Sequence, residues 1–288
     1  LKKLNKITIV GVGLIGGSFA KAIKKLGLAE EVVGFGKNES NLQTAIKLDV
    51  IDSYSTDIAE AVKGSDLVFL AVPLGVMKSV LNDMKPYLSE STIITDGGSA
   101  KSSVILSAQE VFGELPKNFV PGHPIAGKEK SGVTAADADL YIDHRVILTP
   151  TATTSKSALN TVKQLWSLLG ANVEIMNPQR HDEIFAATSH LPHLLAFTLV
   201  DMLNEHEELG DVFQYTAGGF RDFTRIASSD AIMWRDIAMY NSDAIVKWLK
   251  NYSAAIENLT GLVESKESET LYHLFNEAKK ARDKHIVN

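Results

Sequence analysis

The chain of 288 residues contains no cysteine. That absence excludes disulfides, thiolate metal sites, iron–sulfur clusters and cysteine nucleophiles, and with them the disulfide-stapled secreted domains. Any metal would have to be held by histidine and carboxylates. A basic excess is missing too: 29 Lys and Arg stand against 35 Asp and Glu, a net charge of −6, where a nucleic-acid binder normally carries a positive surplus. No nucleic-acid partner is expected. No apolar run approaches the roughly 18 residues of a membrane span, and the first residues enter a strand-like pattern without a signal peptide. A cytoplasmic protein with no membrane partner is the expectation.

What is present is ordinary for a globular chain, with 45% hydrophobic and 22% charged residues. The length accommodates two domains at about 100 to 200 residues each. Residues 1–178 carry 18 basic and 18 acidic groups, and residues 179–288 carry 11 and 17. Hydrophobic patterning changes at the same place. Before Pro178, short β-branched runs (KITIV at 6–10, VVGF at 32–35, DLVFLAVP at 66–73, TIITDGG at 92–98) alternate with helical stretches, including one around 39–48. This is the pattern of an α/β fold with a mostly parallel sheet covered on both faces. Further strand-like pieces lie at 119–122, 145–150 and 172–176. Beyond Pro178 only helical patterns remain, at 180–207 with an interruption at Pro192, and at 230–240, 242–264 and 266–284. Ile245, Leu249, Tyr252, Ile256, Leu259 and Val263 form one apolar stripe. The segment 191–203 is apolar nearly all round, which in a helix implies burial on every side. The expected architecture is an α/β domain with a mostly parallel sheet, 1–178, and an all-helical domain, 179–288, whose apolar faces are completed by a second copy in a homodimer.

Gly11, Gly13 and Gly16 form G-x-G-x-x-G between the first strand and the first helix. The first glycine permits a tight turn, the second lets backbone approach a pyrophosphate, and the third packs helix on strand. Leu14 and Ile15 lie inside this loop, and the helix N-terminus attracts the phosphates. Val72 and Pro73, ending another strand, are placed beside the same cofactor. An acid that binds the ribose 2′-hydroxyl of NAD is expected about 20 residues on, but that position is most plausibly Gly36, followed by Lys37, Asn38 and Ser40. No carboxylate there repels a 2′-phosphate, and Lys37 can neutralise one. The reading leans to NADP and leaves NAD open.

Of the eight histidines, His144, His181, His206, His273 and His285 sit in polar contexts and read as solvated. His123 differs, because GHPIAG fixes it on a stiff loop after a strand, where an imidazole can take a hydroxyl proton during hydride transfer. Its other reading is a loop-bracing histidine. Ser99, in DGGSAK, can reach the same edge or cap the helix that follows. His190 and His193 share a helix face but lack the further ligand that zinc requires, so no metal is expected. Arg221 and Arg225, flanking Asp222 after Gly218-Gly219, suit bidentate capture of a carboxylate or an intrahelical ion pair.

GVGLIGGS at 11–18, DGGSAK at 96–101, GHPIAGKEKSG at 122–132, SHLPH at 189–193 and GGFRDFTRIASSDAIMWRD at 218–236 together resemble the prephenate/arogenate (cyclohexadienyl) dehydrogenase family. The resemblance runs in order over essentially the whole chain, and it implies that 1–178 is a Rossmann-like dinucleotide-binding domain and 179–288 a helical substrate and dimerisation domain. It implies NAD(P)-dependent oxidative decarboxylation in tyrosine biosynthesis: hydride passes from the hydroxyl-bearing ring carbon to the nicotinamide, carbon dioxide leaves, and a 4-hydroxyphenyl product remains. It further implies His123 as the proton acceptor, Ser99 as a hydrogen-bond partner of the same hydroxyl or of the nicotinamide, His193 and a buried Arg225 as substrate anchors, and Trp234 as an active-site wall. The alternatives are a β-hydroxyacid dehydrogenase or imine reductase on the same two-domain plan, and a non-catalytic dinucleotide-sensing dimer.

Overall fold

The computed structural model describes residues 2–128, 130–206, 208 and 210–286. By internal contacts these fall into two compact units, 1–242 and 243–288. The first opens with β1 (Leu4–Val10), α1 (Leu14–Lys25), β2 (Ala29–Phe35), α2 (Glu39–Lys47), β3 (Ser53–Ser55), α3 (Ile58–Val62), β4 (Leu67–Leu70), α4 (Leu74–Met84), β5 (Ile93–Asp96), α5 (Lys101–Phe112) and β6 (Phe119–Val120). These strands make one wholly parallel sheet in the order β3-β2-β1-β4-β5-β6. The order reverses between β1 and β4, the crevice where doubly wound sheets receive ligands. Both faces are covered, and Ile7, Ile9, Leu67 and Phe69 are fully buried, as the unbroken apolar runs require.

The later strand-like pieces do not extend this sheet. Pro121 follows β6, and β7 (Gly122–Ile125), β8 (Arg145–Leu148) and β9 (Asn172–Ile175) form a second sheet, β7-β8 antiparallel and β8-β9 parallel. The helix α6 (Lys156–Leu168) joins β8 to β9. Its Trp166 packs edge-on against Phe19, Phe69 and Tyr141 at 4.9, 5.7 and 4.9 Å between ring centres, in the main core.

After β9 the chain is helical, as the patterning requires: α7 (Pro178–Phe185), α8 (Leu191–Asn204), α9 (Gly218–Thr224), α10 (Ala231–Tyr240), α11 (Ser242–Glu264) and α12 (Ser268–His285). Asn177 caps α7, accepting from the backbone N–H groups of Gln179 and Arg180. Pro192 does not break the helix as expected. It occupies the first turn of α8, where a missing N–H costs little, and a π-turn over Ala186–His190 joins α7 to α8. Of α8, apolar all round, only Leu191 and Ala196 are buried in the single chain. In the second unit, Tyr252, Ile256 and Val263 of the apolar stripe are 40, 43 and 58% exposed. Among the described residues no helix is long and apolar enough to cross a membrane.

Candidate active site

The glycine loop has the sterics of a dinucleotide cradle. Gly11 adopts φ +95°, and a Cβ there would collide with the Ala71 carbonyl. A Cβ on Gly16 would collide with the carbonyl oxygen of Gly11. At Gly13, the N-cap of α1, a Cβ would find nothing within 4 Å, so the approach to the helix N-terminus is open. No side chain caps α1, and its first turn holds no acid. The residues therefore fit a pyrophosphate. Leu14 and Ile15 are half-buried, Val72 borders Gly11, and Pro73 is the exposed N-cap of α4. At the end of β2, Gly36 has only Leu42 near it, 3.6 Å from a Cβ, so the missing acid is not imposed by crowding. Lys37 is exposed, while Asn38 uses its side-chain oxygen to cap α2 through Asn41 N–H.

The second cluster forms where β5, β7 and α7 converge. Asp96 ends β5, fully buried, and accepts from the N–H groups of Gly98 and Gly122 at 2.8 and 3.1 Å. Lys101, also fully buried, pairs with Asp96 and donates to the Gly122 carbonyl at 2.7 Å. Burial draws the Lys101 pKa down against the attraction of Asp96. The residue preceding His123 is thus held by both members of a buried ion pair.

His123 is half-buried, and its Nδ1 lies 2.9 Å from Nε2 of His181. His181 is not solvated as its polar neighbours imply. It is fully buried, and its Nδ1 lies 2.9 Å from Oδ1 of Asp182. Burial raises the Asp182 pKa, but hydrogen bonds from His181, Ser102 and Lys101 outweigh it and hold the carboxyl below its usual range. The proton positions follow. An ionised Asp182 only accepts, so Nδ1 of His181 donates; Nε2 of neutral His181 then accepts from Nδ1–H of His123. Nε2 of His123 is left with a bare lone pair. Burial is the leading cause that holds the His123 pKa well below 6.5, and the positive charge of Lys101 acts in the same direction.

His190 ends the π-turn, a local widening that recurs at functional sites. Nδ2 of Asn241 donates to the Asp182 carbonyl at 2.9 Å and lies 3.1 Å from Nδ1 of His190. Flipping that amide would set its oxygen against the Asp182 carbonyl, so the nitrogen faces both partners, and His190 carries its proton on Nε2. Burial is the leading cause that brings its pKa to about 4. His193 donates from Nδ1 to the Ser189 carbonyl at 2.8 Å and stacks on the buried Trp234, 3.8 Å between ring centres at 19°.

Ser99 does not cap α5. Ala100 is the N-cap and offers no side-chain bond; Asp182 accepts from Lys101 and Ser102 N–H instead, at 2.7 and 2.8 Å. The half-buried Ser99 hydroxyl has no hydrogen-bond partner among the described residues. Arg225 is exposed in the single chain rather than buried, because it follows the last residue of the short α9; its charge nevertheless reaches His193 and lowers that histidine's pKa, behind burial as the leading cause. Arg221, in the last turn of α9, is also exposed. Among the described residues no group of three or more His, Asp or Glu is placed to hold a metal.

A parallel sheet in this order, a glycine loop that fits a pyrophosphate and an imidazole on β7, beside the end of β5, define an NAD(P)-dependent dehydrogenase. Family models agree: the nucleotide-binding domain of prephenate dehydrogenase matches residues 19–175, and its dimerization domain matches 177–277. The chain belongs to the prephenate dehydrogenase family. It is 38% identical to the cyclohexadienyl dehydrogenase of Zymomonas mobilis over 96% of this chain and 94% of the relative. It is 37% identical to the prephenate dehydrogenase of Bacillus subtilis, over 96% of this chain and 75% of that one. Among solved structures, prephenate dehydrogenase from Aquifex aeolicus in complex with hydroxyphenyl propionate and NAD+ superposes with a TM-score of 0.91 at 38% identity, covering 97% of this chain and 98% of that one. Arogenate dehydrogenase from Synechocystis gives 0.81 at 26% identity, covering 98 and 100%.

Proposed function

We propose that the protein oxidatively decarboxylates prephenate, L-arogenate or both, with His123 as the base. The observation that carries this is the Asp182–His181–His123 chain of hydrogen bonds, which leaves Nε2 of His123 free to accept a hydroxyl proton. The nicotinamide, when bound, accepts the hydride from the hydroxyl-bearing ring carbon. His123 takes the hydroxyl proton as the C–O bond becomes a carbonyl. The ring carboxylate then leaves as carbon dioxide; its bonding electrons complete the aromatic ring as the carbonyl π pair returns to oxygen, and that phenolate oxygen takes back the proton held by His123 to give the 4-hydroxyphenyl product. Ser99, with an uncommitted hydroxyl, bonds the same substrate oxygen or the nicotinamide side; His193 and Arg225 anchor the substrate; Trp234 walls the site. Gly11, Gly13, Leu14, Ile15, Gly16, Val72 and Pro73 form the dinucleotide site, and Lys37 with the acid-free Gly36 favours NADP over NAD.

We place the functional division at residue 178, a reading supported by both sheets preceding it and by the regular elements after it, among the described residues, being helices. The part-exposed α8 and the exposed stripe of α11 support a homodimer, as does the match to a dimerization domain. The decisive experiment is a two-by-two initial-rate comparison of prephenate and arogenate with NAD+ and NADP+. Turnover of neither substrate with either nucleotide overturns the reading.

A further inference from the structure

Three helices of the parallel sheet, α1, α4 and α5, start at its crevice without a side-chain cap of their own. Two of them are capped from far along the chain by buried carboxylates of the helical segment. Asp182 takes the first N–H groups of α5, as above. Asp236, 4% exposed, accepts from Gly75 N–H in the first turn of α4 at 2.9 Å. Its other oxygen accepts from Nε and Nη2 of Arg235 at 2.9 and 2.7 Å. Gly75 is shaped for this contact: a Cβ there would stand 2.6 Å from Oδ2 of Asp236. Each carboxylate also neighbours a site residue, His181 beside Asp182 and Trp234 two positions before Asp236 on α10.

We infer that Asp236 is a positioning residue of the dehydrogenase site: by gripping the N-terminus of α4 it fixes Trp234, and through the ring stack His193, against the strand end that borders the dinucleotide. The inference rests on the function proposed above. It has a second consequence: with α4 and α5 occupied by protein carboxylates, the N-terminus of α1 is the one of the three left for the cofactor phosphates. A negatively charged cap also suits the helix dipole better than a neutral one.

The test uses the full chain as wild type, Asp236→Ala, Asp236→Asn and Gly75→Ala. The chain has three tryptophans, so 15N-tryptophan labelling gives three indole N–H resonances, with Trp234 assigned from Trp234→Phe. Asp236→Ala and Gly75→Ala are expected to move the Trp234 indole resonance while leaving that of Trp166 in place. They should lower kcat/KM about tenfold or more, the scale of a lost charge-assisted hydrogen bond, with the dissociation constant for the nucleotide within about twofold. Asp236→Asn keeps an oxygen for Gly75 N–H and should recover most of the loss. An unmoved Trp234 resonance, or nucleotide affinity and all three resonances moving together, overturns the inference. If the wild-type protein turns over neither prephenate nor arogenate, it is the functional reading that fails, and the Trp234 resonance alone decides the positioning role.

Discussion

Nδ1 of His123 and Nε2 of His181 lie 2.9 Å apart, across 58 residues of sequence. Because the far nitrogen of His181 is tied to an ionised Asp182, this contact sets the tautomer of His123 and leaves its Nε2 as the acceptor. As the proposed base, His123 must be neutral to act, and its pKa is held well below 6.5. The acidic limb of kcat/KM is therefore expected at a pH below the ordinary imidazole range, with activity falling as pH drops through that lowered value. His123→Asn should reduce kcat by about 10²- to 10⁴-fold without weakening nucleotide binding. A pH–rate profile whose acidic limb lies at or above 6.5 would count against His123 as the base.

Two glycines of the loop should respond to the same substitution in opposite ways. Gly16→Ala forces a methyl into the Gly11 carbonyl, so thermal unfolding should begin at a lower temperature and nucleotide binding should be lost. Gly13→Ala meets no atom within 4 Å, so stability should be unchanged while nucleotide affinity falls. Calorimetry with and without the nucleotide separates the two.

Cofactor preference is expected to be set at the end of β2. Gly36 tolerates a Cβ, so Gly36→Asp should fold normally and shift use from NADP towards NAD, the carboxylate bonding a ribose hydroxyl and repelling a 2′-phosphate. Lys37→Ala should hurt NADP use more than NAD use. Equal effects of Lys37→Ala on both nucleotides would make that lysine a bystander.

Buried neutral histidines make the fold acid-sensitive. An unfolded chain protonates His190 near 6.5, and the folded chain only near 4. Between those values the unfolded state binds more protons, so stability falls as pH drops. His190 alone contributes roughly 3 kcal/mol over that window, and the lowered pKa values of His123 and His181 act in the same direction. Urea titrations from pH 7.5 to 4 should show the decline, and His190→Gln should make it shallower. An equally steep decline in His190→Gln would remove His190 as a cause.

Local patterns are readable in sequence where they are decided locally. Gly11, Gly13 and Gly16 sit in a strand–turn–helix context that needs no distant partner, and the helix at 242–264 follows from its apolar stripe alone. His181 is hidden because Arg180 and Asp182 give it a polar neighbourhood in sequence, while the neighbours that bury it come from β7 and α5. Ser99 looks like the cap of α5 for the same reason: the true acceptor, Asp182, is 81 residues from Lys101. The pairing of β7 with β8 is equally invisible, since a short strand does not announce which sheet it joins.

The Gly75–Asp236 bond spans 161 residues, and that separation orders events in time. A contact so distant cannot nucleate folding, because the entropy of closing its loop must be met before it returns anything. The parallel sheet, whose paired strands are all much closer in sequence than that, can form first, and the helical half of the site arrives on it afterwards. Recovery of the Asp236 grip, and with it full activity, is thus a late milestone in refolding, and a nascent chain acquires its chemistry only once α10 has been made.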